Sequence, residues 1–413
     1  MTSNRNYGIF SIPVIVGALG YFVDIYDLLL FGIIRKQSLA DLGLTPKQVT
    51  SVGEDIISIQ MAGLLIGGII WGIMGDKRGR LSVLFGSIVL YSLANIANGM
   101  VTNTTQYAIV RFIAGVGLAG ELGAGITLVS ELLSKEKRGI GTSLVAGIGL
   151  TGAVFAYFIS KAFDWRICYY IGGGMGLLLL LLRISVFESG MYHQVKNMKV
   201  ARGNFLMFFN NRERFKKYML SILVGLPTWY VIGVLVSFSD QFANSFGIRE
   251  DVNPGKAIMY AYVGISIGDV LIGLLSQWLR SRKKALYIFY GITFVFMVLF
   301  FMQRDGSADR MYWLCAGLGF GTGFWAIFVT MAAEQFGTNL RATAATTVPN
   351  MVRGSLPLII LLFKSLRSSM DYAVAGMITG GIVMVITIIA AAFTKETFAK
   401  DLNYIEEDIV PGP

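Results

Sequence analysis

Gly72-Ile-Met-Gly-Asp76-Lys77-Arg78-Gly79-Arg80 is a short run of glycines and charges wedged between two long apolar segments. A bilayer is crossed by about 20 apolar residues, and the segment on each side is long enough to do so. The run between them has room only to turn. Similar apolar segments recur along all 413 residues, near 10–34, 52–74, 82–100, 106–132, 140–161, 166–187, 218–239, 257–279, 284–302, 311–334, 342–363 and 372–394. Charged residues are 15% of the chain and apolar ones 54%, whereas a soluble domain carries roughly a quarter charged. No period-2 alternation marks a strand. The expected fold class is an all-α membrane protein of twelve transmembrane helices.

The formal charge of +10 follows topology and does not point to nucleic acid. Lys and Arg gather in alternate loops: Lys77, Arg78 and Arg80; Lys135, Lys137 and Arg138; Lys196 to Lys217; and Arg280 to Lys284. The positive-inside rule then places both termini and the long central loop in the cytoplasm of a multi-pass plasma-membrane protein, a bacterial inner membrane being the expected setting. The first run continues past Asp24 and Asp27 without a small-residue cleavage site, so it reads as a span and not a cleaved signal. Cys168 and Cys315 are lone thiols and His193 is the single histidine. No disulfide framework, metal site or cofactor is expected, and no nucleophile–base grouping of an enzyme is present.

The polar stretch 188–217 divides the runs six and six, giving a first bundle at 1–187, a linker at 188–217 and a second bundle at 218–413. Glu131 and Arg138 follow the fourth run as Glu334 and Arg341 follow the tenth, both at an offset of 203 (334 − 131, 341 − 138). The basic cluster at 280–284 follows the eighth run where Asp76 to Arg80 follows the second. Such repetition is the mark of a transporter made of two related halves with its site between them.

The opening stretch resembles, position for position, the G-x-x-x-D-[RK]-x-G-R signature of the major facilitator superfamily, and the likeness extends over essentially the whole chain. It implies two pseudo-symmetric six-helix bundles and alternating access by a monomer. It also implies a cytoplasmic gate, to which Asp76, Arg80, Glu131, Arg138, Glu334 and Arg341 are assigned. Lys77, Lys135 and Lys137 read instead as topology signals.

An ionisable side chain in the membrane interior costs several kcal/mol unless it is paired or wetted, and is by default a functional candidate. Gly20-Tyr-Phe-Val-Asp24-Ile-Tyr26-Asp27 puts two carboxylates three residues apart, expected to share one helix face and to ionise one at a time. This D-x-Y-D run is similar to that of the phosphate:proton symporters of the superfamily. Arg111-Phe-Ile-Ala-Gly115-Val-Gly117-Leu-Ala-Gly120-Glu121 is similar to the metabolite:proton symporters. Asp24, Asp27, Glu121 and Arg111 are therefore assigned to proton coupling, Asp27 and Glu121 for direct coupling or substrate contact, Asp24 and Arg111 with structural ion pairing as the alternative. The 203 offset maps Asp27 onto Tyr230 and Glu121 onto Phe324, beside Trp325. Carboxylates thus line the first half where aromatics line the second, and Tyr26, Trp229, Tyr230 and Trp325 are assigned to the substrate pocket, with packing as the alternative. Asp269 and Arg353 either pair with each other or join that pocket, where a guanidinium suits a carboxylate or phosphate. Lys364 is expected to snorkel.

The expected function is proton-coupled import of a small polar organic solute, such as an amino acid, a carboxylate or a related metabolite, with small molecule, protons and lipid as the partners. The alternative is a proton-driven exporter of a metabolite or drug. Gly147-Ile-Gly149-Leu-Thr-Gly152 lacks the proline that marks the superfamily's exporters in this helix, which favours import.

Overall fold

The computed structural model describes residues 11–78, 80–121, 135–186, 205–398 and 406. The first half contains α1 (Ile12–Asp41), α2 (Pro46–Arg78), α3 (Arg80–Asn98), α4 (Thr104–Leu118), α5 (Lys135–Ala162) and α6 (Trp165–Val186). The second half is more interrupted. Its first span strings together α7 (Arg212–Val224), α8 (Leu226–Tyr230), a π-helical stretch (Val231–Val236) and α9 (Ser239–Ser245). There follow α10 (Pro254–Trp278), α11 (Arg282–Phe301), α12 (Ala308–Thr322), α13 (Trp325–Glu334), α14 (Thr338–Gly354), α15 (Leu356–Arg367) and α16 (Tyr372–Phe393).

Among the described residues, ten segments are long and apolar enough to cross a membrane, and Val83–Asn98 is a shorter apolar helix. The rest of the fourth expected run, 122–132, lies outside the described residues. Among the described residues there is no strand, and the all-α expectation stands. Polar caps decide where several spans begin. Asn211 accepts from the N–H groups of Glu213 and Arg214, so α7 starts six residues before the run read from hydropathy. The interruptions also have local causes. Pro227 lies in the first turn of α8 and Pro357 in that of α15, each removing a backbone donor where a span is broken, whereas α14 runs unbroken through Pro349.

Glycines bring helices of each half into backbone contact. A Cβ on Gly67 of α2 would lie 2.7 Å from Val116 Cα, and one on Gly268 of α10 would lie 3.1 Å from Gly323 Cα. Gly63 and Gly67 meet Phe112 and Val116 of the fourth span, and Gly264 and Gly268 meet Ala316 and Phe320 of the tenth. The repeat is thus visible in three dimensions, with an offset of 201 for α2 onto α10 (264 − 63, 268 − 67). For α4 onto α12 it is 204 (316 − 112, 320 − 116). The uniform 203 offset is corrected accordingly: Glu121 corresponds to Trp325 itself, not to Phe324. Each follows a break in its span, at Ala119–Gly120 and at Gly323–Phe324.

The halves meet where α2 packs on α14 and α15 and where α1 and α5 pack on α10. Outward faces carry large apolar side chains such as Leu274, Leu361 and Phe393. Trp278 and Trp313, both exposed, stand near opposite ends of the bundle, as membrane-interface tryptophans do.

Candidate functional site

Arg353 of α14 is buried where the halves meet. Its guanidinium carbon lies 5.8 Å from the ring of Trp229 on α8 and 5.8 Å from the ring of Trp325 on α13. From the other half, Asp24 of α1 brings Oδ2 to 3.8 Å from Arg353 Nη2. That separation is an ion pair without a hydrogen bond. Arg353 Nε and Nη1, both indole N–H groups and both Asp24 oxygens make no hydrogen bond within the protein. Tyr21 and Tyr262 stand within electrostatic reach of both Arg353 and Asp24. A cation flanked by two aromatic faces, with four buried donors uncommitted, has the chemistry to hold a planar anion.

The other acids of the first half go elsewhere. Asp24 and Asp27 have different neighbours. Three residues apart on a helix leaves them about 60° apart around the axis, enough to aim Asp24 at the second half and Asp27 into the first. A Cβ on Gly172 of α6 would strike Asp27 Oδ1. Arg111 donates to the Asp27 backbone carbonyl at 3.1 Å, to Gln60 Oε1 at 3.3 Å and to Asn95 Oδ1 at 3.3 Å. Glu121 is held by Arg183 of α6 through two hydrogen bonds, one of 3.0 Å, with both side chains buried. Gly20 leaves the space that this pair fills.

Tyr26 and Tyr230 are both buried with their hydroxyls committed to backbone. Tyr26 donates to the Cys168 carbonyl at 2.9 Å and Tyr230 to the Gly376 carbonyl at 2.5 Å, each inside its own half. Asp269 does not pair with Arg353; its Oδ1 accepts from the Ala326 N–H at 2.9 Å.

At the end bearing the 76–80 loop, the Asp76, Arg80 and Arg138 side chains and all of Glu131 lie outside the described residues. Glu334 takes Arg282 in a bidentate pair of 2.8 and 2.9 Å and accepts from Thr397 at 2.7 Å, all within the second half. Arg341 donates to the Phe336 carbonyl at 3.4 Å. Just beyond α16, Glu396 accepts from Ser281 Oγ and from the N–H groups of Arg282, Lys283 and Phe398. Burial pushes its carboxyl up, but these hydrogen bonds outweigh burial and hold it down at about 2.

The opposite end carries ion pairs between the halves that hydropathy reading missed. Arg35 of α1 pairs with Asp240 of α9 at 3.2 Å, donates to the Ser237 carbonyl at 2.9 Å and lies 4.2 Å over the Phe238 ring. Glu54 of α2, buried, takes Arg367 and Lys364 of α15, and Lys364 also reaches Asp55 at 2.5 Å. Lys364 therefore bridges the halves and does not snorkel. Glu54 and Arg183 both lie inside the apolar runs, so the rule that flagged Asp24 would have flagged them too. Among the described residues no cluster of His, Cys, Asp and Glu is arranged to hold a metal.

The family pattern described as Major Facilitator Superfamily matches residues 17–360. The chain is 28% identical over 363 residues to the niacin transporter NiaP of Acinetobacter baylyi, covering 80% of this chain and 81% of that protein. It is 27% identical over 345 residues to the sialic acid transporter NanX of Escherichia coli, covering 81% of each. It is 23% identical over 375 residues to the benzoate transport protein of A. baylyi, covering 80% and 78%. The fold superposes on the proton:xylose symporter XylE with a TM-score of 0.67 at 16% identity, over 95% of this chain and 97% of the other.

Proposed function

The chain belongs to the major facilitator superfamily as a transporter of small metabolites, and from that premise we propose that it imports an organic carboxylate, aromatic in class, together with a proton. The observation that carries this reading is Arg353, set between Trp229 and Trp325 and facing Asp24 across the two halves. Niacin and benzoate, the solutes in the names of two relatives, are planar rings bearing one carboxylate, and sialic acid is also a carboxylic acid.

The proposed coupling is a competition for one cation. While Asp24 is ionised it neutralises Arg353, and a second carboxylate would add unpaired negative charge in a low-dielectric site. A proton on Asp24 removes that charge and frees the guanidinium fork. The solute carboxylate then takes Arg353 and the indole N–H groups, and its ring lies against the tryptophans. Solute and proton occupy the site together, and the net charge matches the empty, ion-paired state. Loss of the proton on the other side restores the Asp24–Arg353 pair and expels the anion. The proposed orientation, supported by the basic loops, has the end bearing Asp76 and Arg282 in the cytoplasm.

The test is uptake of labelled nicotinate and benzoate into liposomes holding the purified protein. An acid exterior drives accumulation, and Asp24→Asn abolishes that drive while solute exchange at equal pH persists. Accumulation only under the reversed gradient would make the protein an exporter, and no movement of any carboxylate would end the reading.

A further inference from the structure

We infer that Asp269 is a positioning residue: it caps the second segment of the broken tenth span from a neighbouring helix, and so fixes the Trp325 wall of the Arg353 site. The inference rests on that site being the solute site, and it adds what sets the shape of the site.

A helix N-terminus leaves its first N–H groups without intrahelical partners, and a side-chain oxygen at the N-cap normally takes the N–H two or three residues on. In α13 the N-cap position is Phe324, whose side chain has no oxygen to offer. The acceptor comes instead from α10: Asp269 Oδ1 receives the Ala326 N–H at 2.9 Å, the donor a local aspartate would take. Negative charge at this end of a helix is also favoured by the helix dipole.

Two glycines make the approach possible. A Cβ on Gly323, at the break, would lie 2.9 Å from the Asp269 nitrogen, and one on Gly268 would lie 3.1 Å from Gly323 Cα. Residues 268 and 269 of α10 are thereby pressed against the turn 323–324. Trp325 is the first residue of α13, so its Cα is set by the turn that Asp269 grips. The ring then stands 5.1 Å from Phe328 and 5.8 Å from the Arg353 guanidinium. Asp269 is buried and takes no part in an ion pair among the described residues; its Oδ2 makes no hydrogen bond.

Removing the acceptor should loosen the turn and let Trp325 leave the guanidinium. Loss of a cap is worth on the order of a tenfold change in an equilibrium. Asp269→Ala should therefore raise KM about tenfold for benzoate and change it little for an aliphatic carboxylate such as butyrate. Asp269→Asn keeps an oxygen in place and should recover most of the benzoate affinity with the pH profile of uptake unmoved. A readout free of transport is ¹⁹F NMR of protein labelled with 5-fluorotryptophan. The resonance lost in Trp325→Phe should shift in Asp269→Ala and return in Asp269→Asn. An unmoved Trp325 resonance in Asp269→Ala overturns the inference, as does an altered pH profile in Asp269→Asn. If no carboxylate is transported at all, the solute reading fails while the resonance still decides the role of Asp269.

Discussion

Asp24 and Arg353 come from different halves of the chain and meet at 3.8 Å in the buried middle of the protein, the guanidinium flanked by two indoles. Any rocking of one half against the other must alter this contact. In the proposed cycle it is this contact that links charge, solute and conformation.

Arg353→Lys keeps the charge but loses the planar fork that matches a carboxylate. A hydrogen bond to a charged group contributes about 1.5–3 kcal/mol, so KM for benzoate should rise at least tenfold, and Arg353→Gln should abolish uptake. Saturation curves in proteoliposomes measure this. Equal KM in wild type and Arg353→Lys would remove the guanidinium from the site.

Glu121 and Arg183 are a buried pair within the first half. Removing one partner strands a buried charge at a cost of roughly 3–5 kcal/mol, whereas replacing both by apolar residues of similar size is often neutral. Glu121→Gln should melt well below wild type, and Glu121→Met with Arg183→Met should recover much of the loss. If the double variant is stable and still responds to a pH gradient, Glu121 is structural. A stable double variant with no pH response would return it to the coupling machinery.

The ion pairs Arg35–Asp240 and Glu54–Arg367 hold the halves together at the end away from the 76–80 loop. Glu54→Gln should favour opening there. Ile258→Cys, placed where α10 meets Gly32 in a protein with Cys168→Ala and Cys315→Ala, reports it. Its labelling by a thiol reagent should quicken several-fold in Glu54→Gln. The charge swap Glu54→Arg with Arg367→Glu should slow it again. Unchanged labelling would mean that these pairs do not restrain opening.

Gly268→Ala places a methyl against the Phe320 carbonyl and Gly323 backbone, which cannot swing aside as a side chain can. Overpacking of this kind costs about 1–3 kcal/mol. Gly273 and Gly291 have open space around the added atom, so their alanine variants should melt like wild type. Thermal unfolding in detergent separates the two groups, and equal melting of all three would disprove the close backbone contact.

Glu396 stays ionised in the folded protein down to about 2, against an ordinary value of 4.5. Its folded value is the lower, so the contribution is fully present above 4.5 and is lost as pH falls from there through about 2. The protection of the N–H groups of Arg282, Lys283 and Phe398, taken as hydrogen exchange relative to the intrinsic rate at each pH, should be high at neutral pH and fall only in that acid window. Glu396→Gln should exchange faster at neutral pH as well. Protection that fades between neutral pH and 5 would rule out Glu396 as the holding group.

Local pattern carried a large part of this protein. Hydropathy located the spans to within a few residues, because crossing a bilayer is a demand on each segment alone. Asn211 shows the margin: a single cap moved the start of α7 by six residues. The sequence repeat disclosed two related halves, and their local offsets of 201 and 204 emerged only from glycine contacts. Arg353 and Trp325 were legible as a charge and an aromatic at membrane depth. Their meeting with Trp229 and Asp24 was not.

The sequence by itself determined an all-helical membrane protein of two related halves, with acids in the first and aromatics in the second. Tertiary structure decided that Asp24 faces Arg353 while Glu121 answers to Arg183, and that Asp269 serves a backbone turn. The reason is geometric. Hydropathy and spacing are properties of one helix, but a charge's partner depends on how each helix is rotated and which residues hundreds of positions away it is packed against.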